Sequence, residues 1–202
     1  MKIIGNSCVG TFLVEVCYNL PFITPFSWCR LDYDSILYLI SNWNTIDFDD
    51  YELVKDYNWN FSVIIEKNVK IQYVHYRFDP RIEGVKKING DKFSNRIWVY
   101  INDLYEKRIK SMAESKDEPI FILSTVHKIE PNYLNEVQRN IIADAANKNK
   151  LKVIFGYHDI SDDELRKSNE NIEYIRLAKG LNHNTVPTAD FIFHHSKILG
   201  TV

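Results

Sequence analysis

Cysteine is scarce in this chain, with three at positions 8, 17 and 29 among 202 residues. An odd count at these spacings fits neither a paired disulfide framework nor a Cys-x-x-Cys zinc knuckle, so reduced thiols are expected. Glycine and proline are few, seven and six, which excludes collagen-like and low-complexity architectures. No run approaches the roughly 18 apolar residues of a membrane span. Residues 1–4 lead directly into a turn without a signal-peptide core, so a cytoplasmic location is expected. An excess of one charge is also missing: 25 basic and 27 acidic residues are interspersed, and the formal charge is −2. Without a basic stripe to meet a phosphate backbone, nucleic acid is not an expected partner.

Cofactor signatures are absent too. There is no His-Glu-x-x-His, and His194 and His195 are adjacent, which points their side chains apart in helix or strand, so no metal site is expected. The run from Gly5 to Gly10 spaces its glycines as a P-loop does but lacks the Gly-Lys-Ser/Thr ending, and it is not a Gly-x-Gly-x-x-Gly fingerprint. What is abundant is apolar and aromatic material: 45% hydrophobic residues, with four Trp, twelve Tyr and eleven Phe. That is enough for one substantial core, and residues 1–202 read as a single α/β domain.

Apolar spacing predicts a short buried strand at 2–4 and a helix at 9–18. An aromatic, proline-bounded loop follows at 21–28, placed either to line a pocket or to cover one edge of the core. Asp32 or Asp34 caps a helix carrying Ile36, Leu39 and Ile40. Residues 60–66 and 70–76 read as strands joined through Lys67-Asn68, which puts an antiparallel pair in the sheet. A helix over 97–112 sets Tyr105, Ile109 and Met112 on one face and Lys107, Arg108 and Lys110 opposite. Strands at 119–124, 152–156 and 172–177 alternate with helices at 132–148 and 161–168, and a final segment spans 189–199. The alternation predicts a three-layer α/β/α sandwich with a mixed, mainly parallel sheet.

Cys8 falls at the turn between the first strand and the first helix. Unpaired N–H groups and the helix dipole favour an anion there, so a thiolate and the oxyanion of an acyl-transfer intermediate suit the same loop. A buried, inert thiol is the commoner use of cysteine. Gly5, Asn6 and Ser7 would shape the anion site, and Trp28 would line it. A cysteine nucleophile needs a base and a group to orient it. His75 ends a predicted strand with Arg77 nearby as an anion contact and Asp79 as an orienting carboxylate. His127 and His158 follow later strands and are equally compatible with the carboxyl edge, where ligands bind in such sheets. Asp190 shares a face with His194 whether that segment is helix or strand.

Several short motifs, Ile4-Gly5-Asn6-Ser7-Cys8, Pro25-Phe26-Ser27-Trp28, Asp32-Tyr33-Asp34-Ser35-Ile36, Val74-His75-Tyr76, Tyr105-Glu106-Lys107-Arg108-Ile109 and Ile120-Phe121-Ile122-Leu123, give the chain a family likeness. Over roughly residues 3–125 it resembles a bacterial papain-like cysteine peptidase family and a neighbouring family associated with exopolysaccharide biosynthesis. The resemblance implies a three-layer α/β/α fold, Cys8 as nucleophile and His75 as its partner, acting on a glycan-related or acyl small molecule. The start is also similar to a capsule-biosynthesis acyltransferase group with a Gly-Asn-Cys turn, into which this chain inserts Ser7. The expected activity is cysteine-dependent acyl transfer or hydrolysis. A non-catalytic glycan-pathway binding protein and a sugar-nucleotide-dependent transferase are the alternatives.

Overall fold

Two apolar runs, 119–124 and 152–157, form the centre of the larger sheet in the computed structural model, which describes residues 2–6, 24–26, 29–55, 61–73, 105–114, 118–124 and 132–177. In chain order the described strands are β1 (Lys2–Gly5), β2 (Tyr51–Lys55), β3 (Phe61–Ile65), β4 (Val69–Tyr73), β5 (Pro119–Ser124), β6 (Lys152–Tyr157) and β7 (Ile172–Arg176). The described helices are α1 (Tyr33–Asn42), α2 (residues 105–114), α3 (Glu136–Asn149) and α4 (Asp162–Arg166).

The larger sheet has the order β1-β5-β6-β7, and every neighbouring pair in it is parallel. Burial along β5 and β6 is nearly continuous, as expected of parallel strands covered on both faces. The chain is an α/β sandwich about this sheet, the fold class expected from the sequence. One detail differs. The antiparallel strands do not join the parallel sheet but form a second one, ordered β2-β3-β4. β4 alternates buried and half-buried residues, the pattern of a strand with one face on the core. β2 has no counterpart among the strands expected from the sequence; it follows the acid-rich stretch 47–50 and pairs antiparallel with β3.

Helix starts follow capping chemistry. The Asp32 carboxylate accepts the Ser35 N–H at 2.9 Å and opens α1, whose Ile36, Leu39 and Ile40 are fully buried. Ser35 in turn accepts the Lys70 N–H at 2.9 Å, fastening α1 to β4. α3 begins at Glu136 rather than at 132, since Asn135 and Gln138 make a reciprocal capping box there. Residues 132–135 are thereby left outside the helix, and Asn132 and Leu134 turn inward to 1% and 0% exposure.

One buried apolar cluster runs through both sheets, joining Ile4, Phe121 and Val153 with Val63, Ile65 and Ile71. Each such side chain contributes about 1.5–3 kcal/mol by leaving water. α2 adds Tyr105, Ile109 and Met112 to it, as its spacing predicted. Its polar face is less uniform than expected: Lys107 and Lys110 are exposed, whereas Arg108 is half-buried and donates to the Thr24 carbonyl at 3.5 Å. Cys29 is buried within the cluster as a small apolar residue, its thiol donating to the Phe26 carbonyl at 3.0 Å.

Candidate site at the carboxyl edge of the parallel sheet

In parallel sheets the strands end together, and side chains just past those ends face the usual ligand crevice. Here the ends are Gly5-Asn6, Ser124 and Tyr157-His158. Asn6 joins them. Its Oδ1 accepts the Ser124 N–H at 2.8 Å, and its Nδ2 donates to the Asn132 carbonyl at 3.0 Å and to the Tyr157 hydroxyl at 3.3 Å. Its own carbonyl accepts the Asn132 Nδ2 at 2.8 Å and the Leu31 N–H at 3.1 Å. Asn6 is 0% exposed, so its five bonds lie in a dry environment where a polar atom left with no partner at all is costly.

Behind this hub lies a charged network. Arg139, fully buried, makes a two-pronged pair with Glu164, Nε to Oε1 at 2.7 Å and Nη2 to Oε2 at 2.9 Å. Its Nη1 donates to the Leu134 carbonyl at 2.7 Å and reaches Asp159 at 3.2 Å, while the guanidinium lies 5.1 Å from the centre of the Tyr157 ring. Burial works against the Glu164 charge, but hydrogen bonds from Arg139 and Ser161 outweigh it and hold the carboxyl below its ordinary range. Burial pushes the Tyr157 phenol far above its ordinary range, so the hydroxyl bonded to Asn6 stays neutral. Tyr133 is raised by burial and by its hydrogen bond with Asp159. Its ring meets Tyr157 edge-on at 5.4 Å and lies 6.3 Å from the His158 ring.

A second feature connects the two sheets. Arg30 exchanges both backbone hydrogen bonds with Gln72 of β4, at 2.9 and 3.0 Å, and the next residue, Leu31, donates to Asn6. The segment 29–31 is therefore an extended rung between the end of β1 and the end of β4. It holds Asn6 and Gln72 about two strand spacings apart, roughly 10 Å.

Of the residues singled out from the sequence, Gly5, Asn6 and His158 lie in the described structure. Gly5 ends β1 and is buried, Asn6 is the hub, and His158 is half-buried just past β6. Ser7, Cys8, Trp28, His75, Arg77, Asp79 and His127 lie outside the described residues, as do Asp190, His194 and His195. Asn6 and His158 follow strands of the parallel sheet, whereas β4, the described strand before His75, belongs to the antiparallel one. Asp159 is engaged by Arg139 and Tyr133.

Asn132, Tyr157 and the Arg139–Glu164 pair were not anticipated. Asn132 falls at the start of the helix expected over 132–148, and Arg139 lies within that helix with no motif of its own to mark it. The available signal was the Asn135-x-x-Gln138 capping box, which ejects Asn132 from the helix. Among the described residues no cluster of three or more His, Cys, Asp or Glu is arranged to hold a metal. An open hollow lined by Lys2, Trp43, Phe48, Asp49, Ile109 and Met112 lies at the start of β1, the opposite end of that strand from Asn6. No family model, curated protein or solved structure matches the chain.

Proposed function

We propose that this chain is a cysteine-dependent enzyme of acyl transfer or hydrolysis, with Cys8 as nucleophile and His75 as general base, serving bacterial exopolysaccharide or capsule production. The observation that supports it is the rung at 29–31. Cys8 follows Asn6 by two residues and His75 follows Gln72 by three, and Asn6 and Gln72 are tied to the same extended segment. A nucleophile and base far apart in sequence need such a tie to meet.

In this reading the Cys8 thiolate adds to an acyl carbonyl, forming a C–S bond as the carbonyl electron pair moves onto oxygen. The N–H groups of the turn stabilise that oxyanion. His75, having taken the thiol proton, returns it to the leaving group as the carbon–heteroatom bond breaks. Water or an acceptor hydroxyl then cleaves the thioester and regenerates the thiol. Asp79 orients the imidazole, Arg77 meets an anionic part of the substrate, and Trp28 shields the site.

Peptide-resolved mass spectrometry after brief exposure to p-nitrophenyl acetate tests the proposal. An acetyl group should accumulate on Cys8 ahead of Cys17 and Cys29, and Cys8→Ala should abolish ester turnover. Turnover that survives Cys8→Ala would overturn the reading.

A further inference from the structure

Asn132 presents a physical oddity. It is 1% exposed, and its Nδ2 donates to the Asn6 carbonyl at 2.8 Å, yet its Oδ1 has no hydrogen-bond partner among the described residues. A single net hydrogen bond returns less than a stranded buried acceptor costs, so an apolar residue of similar size would suit the fold at least as well. The Asn6 carbonyl would keep the Leu31 N–H as donor. The bond from Asn6 Nδ2 runs to the Asn132 main-chain carbonyl and does not need this side chain. A polar residue that the fold itself does not require, at the carboxyl edge of the sheet, points to a role in the site.

We propose that Asn132 is a positioning residue for the Cys8 turn, a role that rests on the nucleophile reading above. Leu31 fixes the Asn6 carbonyl from the rung at 29–31 and Asn132 fixes it from the loop before α3, so together they set the direction in which the chain leaves β1. Cys8 lies two residues further on, and the N–H groups that would stabilise its thiolate act only when aimed at sulfur. Tyr157 supports the same hub from β6 through the Asn6 Nδ2. Asn132 touches neither substrate nor sulfur in this account and acts through Asn6.

The test is the pH profile of Cys8 alkylation by iodoacetamide, resolved by peptide, in wild type, Asn132→Leu and Tyr157→Phe, with Tm measured for each. Asn132→Leu should hold or raise Tm while moving the Cys8 midpoint up by about one unit, toward the unperturbed value of about 8.5. Tyr157→Phe removes only the hydroxyl and should shift the midpoint in the same direction by a smaller amount. It also supplies the readout should Asn132→Leu fail to fold. A depressed wild-type midpoint that a folded Asn132→Leu leaves in place, or that Tyr157→Phe leaves in place should Asn132→Leu fail to fold, would overturn the positioning role and leave the nucleophile reading intact. A wild-type midpoint near 8.5 would overturn the nucleophile reading itself, and the positioning role with it.

Discussion

Arg139 and Glu164 are both fully buried, so neither charge tolerates loss of the other. Removing one partner of such a pair costs about 3–5 kcal/mol, because the remaining charge stays desolvated. The Glu164 carboxyl is held below its ordinary range in the folded chain. Its contribution is therefore complete above the unfolded value of about 4.3 and is lost as pH falls through the lower folded value. Urea unfolding from pH 7 down to pH 3 should show stability dropping at the acid end, and Glu164→Gln should lower stability at pH 7 and flatten that drop. An acid limb unchanged in Glu164→Gln would assign the dependence to other carboxyls. At this scale the sequence showed which residue opens the turn but not what holds it. Asn6 could be named from its motif, whereas Ser124, Asn132 and Tyr157 lie 118, 126 and 151 residues away. Pairings at that distance leave no local periodicity to read.

Elements were easier to read than their ends. β5, β6 and β7 follow from short apolar runs, and α1 from Asp32 and the spacing of Ile36, Leu39 and Ile40. The sequence pattern puts the β3–β4 turn at Lys67-Asn68, yet the left-handed residues are Glu66 at φ 47° and Lys67 at φ 62°. The turn thus begins one residue earlier. Glu66 is kept there by its side chain, which accepts the Tyr38 hydroxyl at 2.9 Å and the Asp47 N–H at 2.8 Å. Such tertiary contacts override the preference of a turn for glycine or asparagine. Lys67 is exposed, so its left-handed conformation is strain that a glycine would relieve. Lys67→Gly relieves about 1–2 kcal/mol of left-handed strain against about 0.4–1 kcal/mol for glycine's greater freedom in the unfolded chain, so a net gain of about 0.5–1 kcal/mol is expected as a higher urea midpoint at unchanged slope. A lower midpoint would show that the lysine side chain contributes more than its backbone costs.

At the level of the whole molecule, alternating strands and helices were enough to predict an α/β sandwich, but not that its antiparallel strands would form a separate sheet. Strand patterns specify which face is buried, and leave the choice of neighbour to long-range pairing. That choice matters for the site. With β4 in its own sheet, the rung at 29–31 is what ties Gln72 of β4 to the Asn6 hub among the described residues. The proposed nucleophile requires a turn at Cys8 that favours a thiolate, and the alkylation midpoint of Cys8 in the unmodified protein reports on that requirement. The expected midpoint is at least one unit below the roughly 8.5 of an ordinary thiol, with Cys29 unreactive in its buried position. A Cys8 midpoint at or above that value would contradict it.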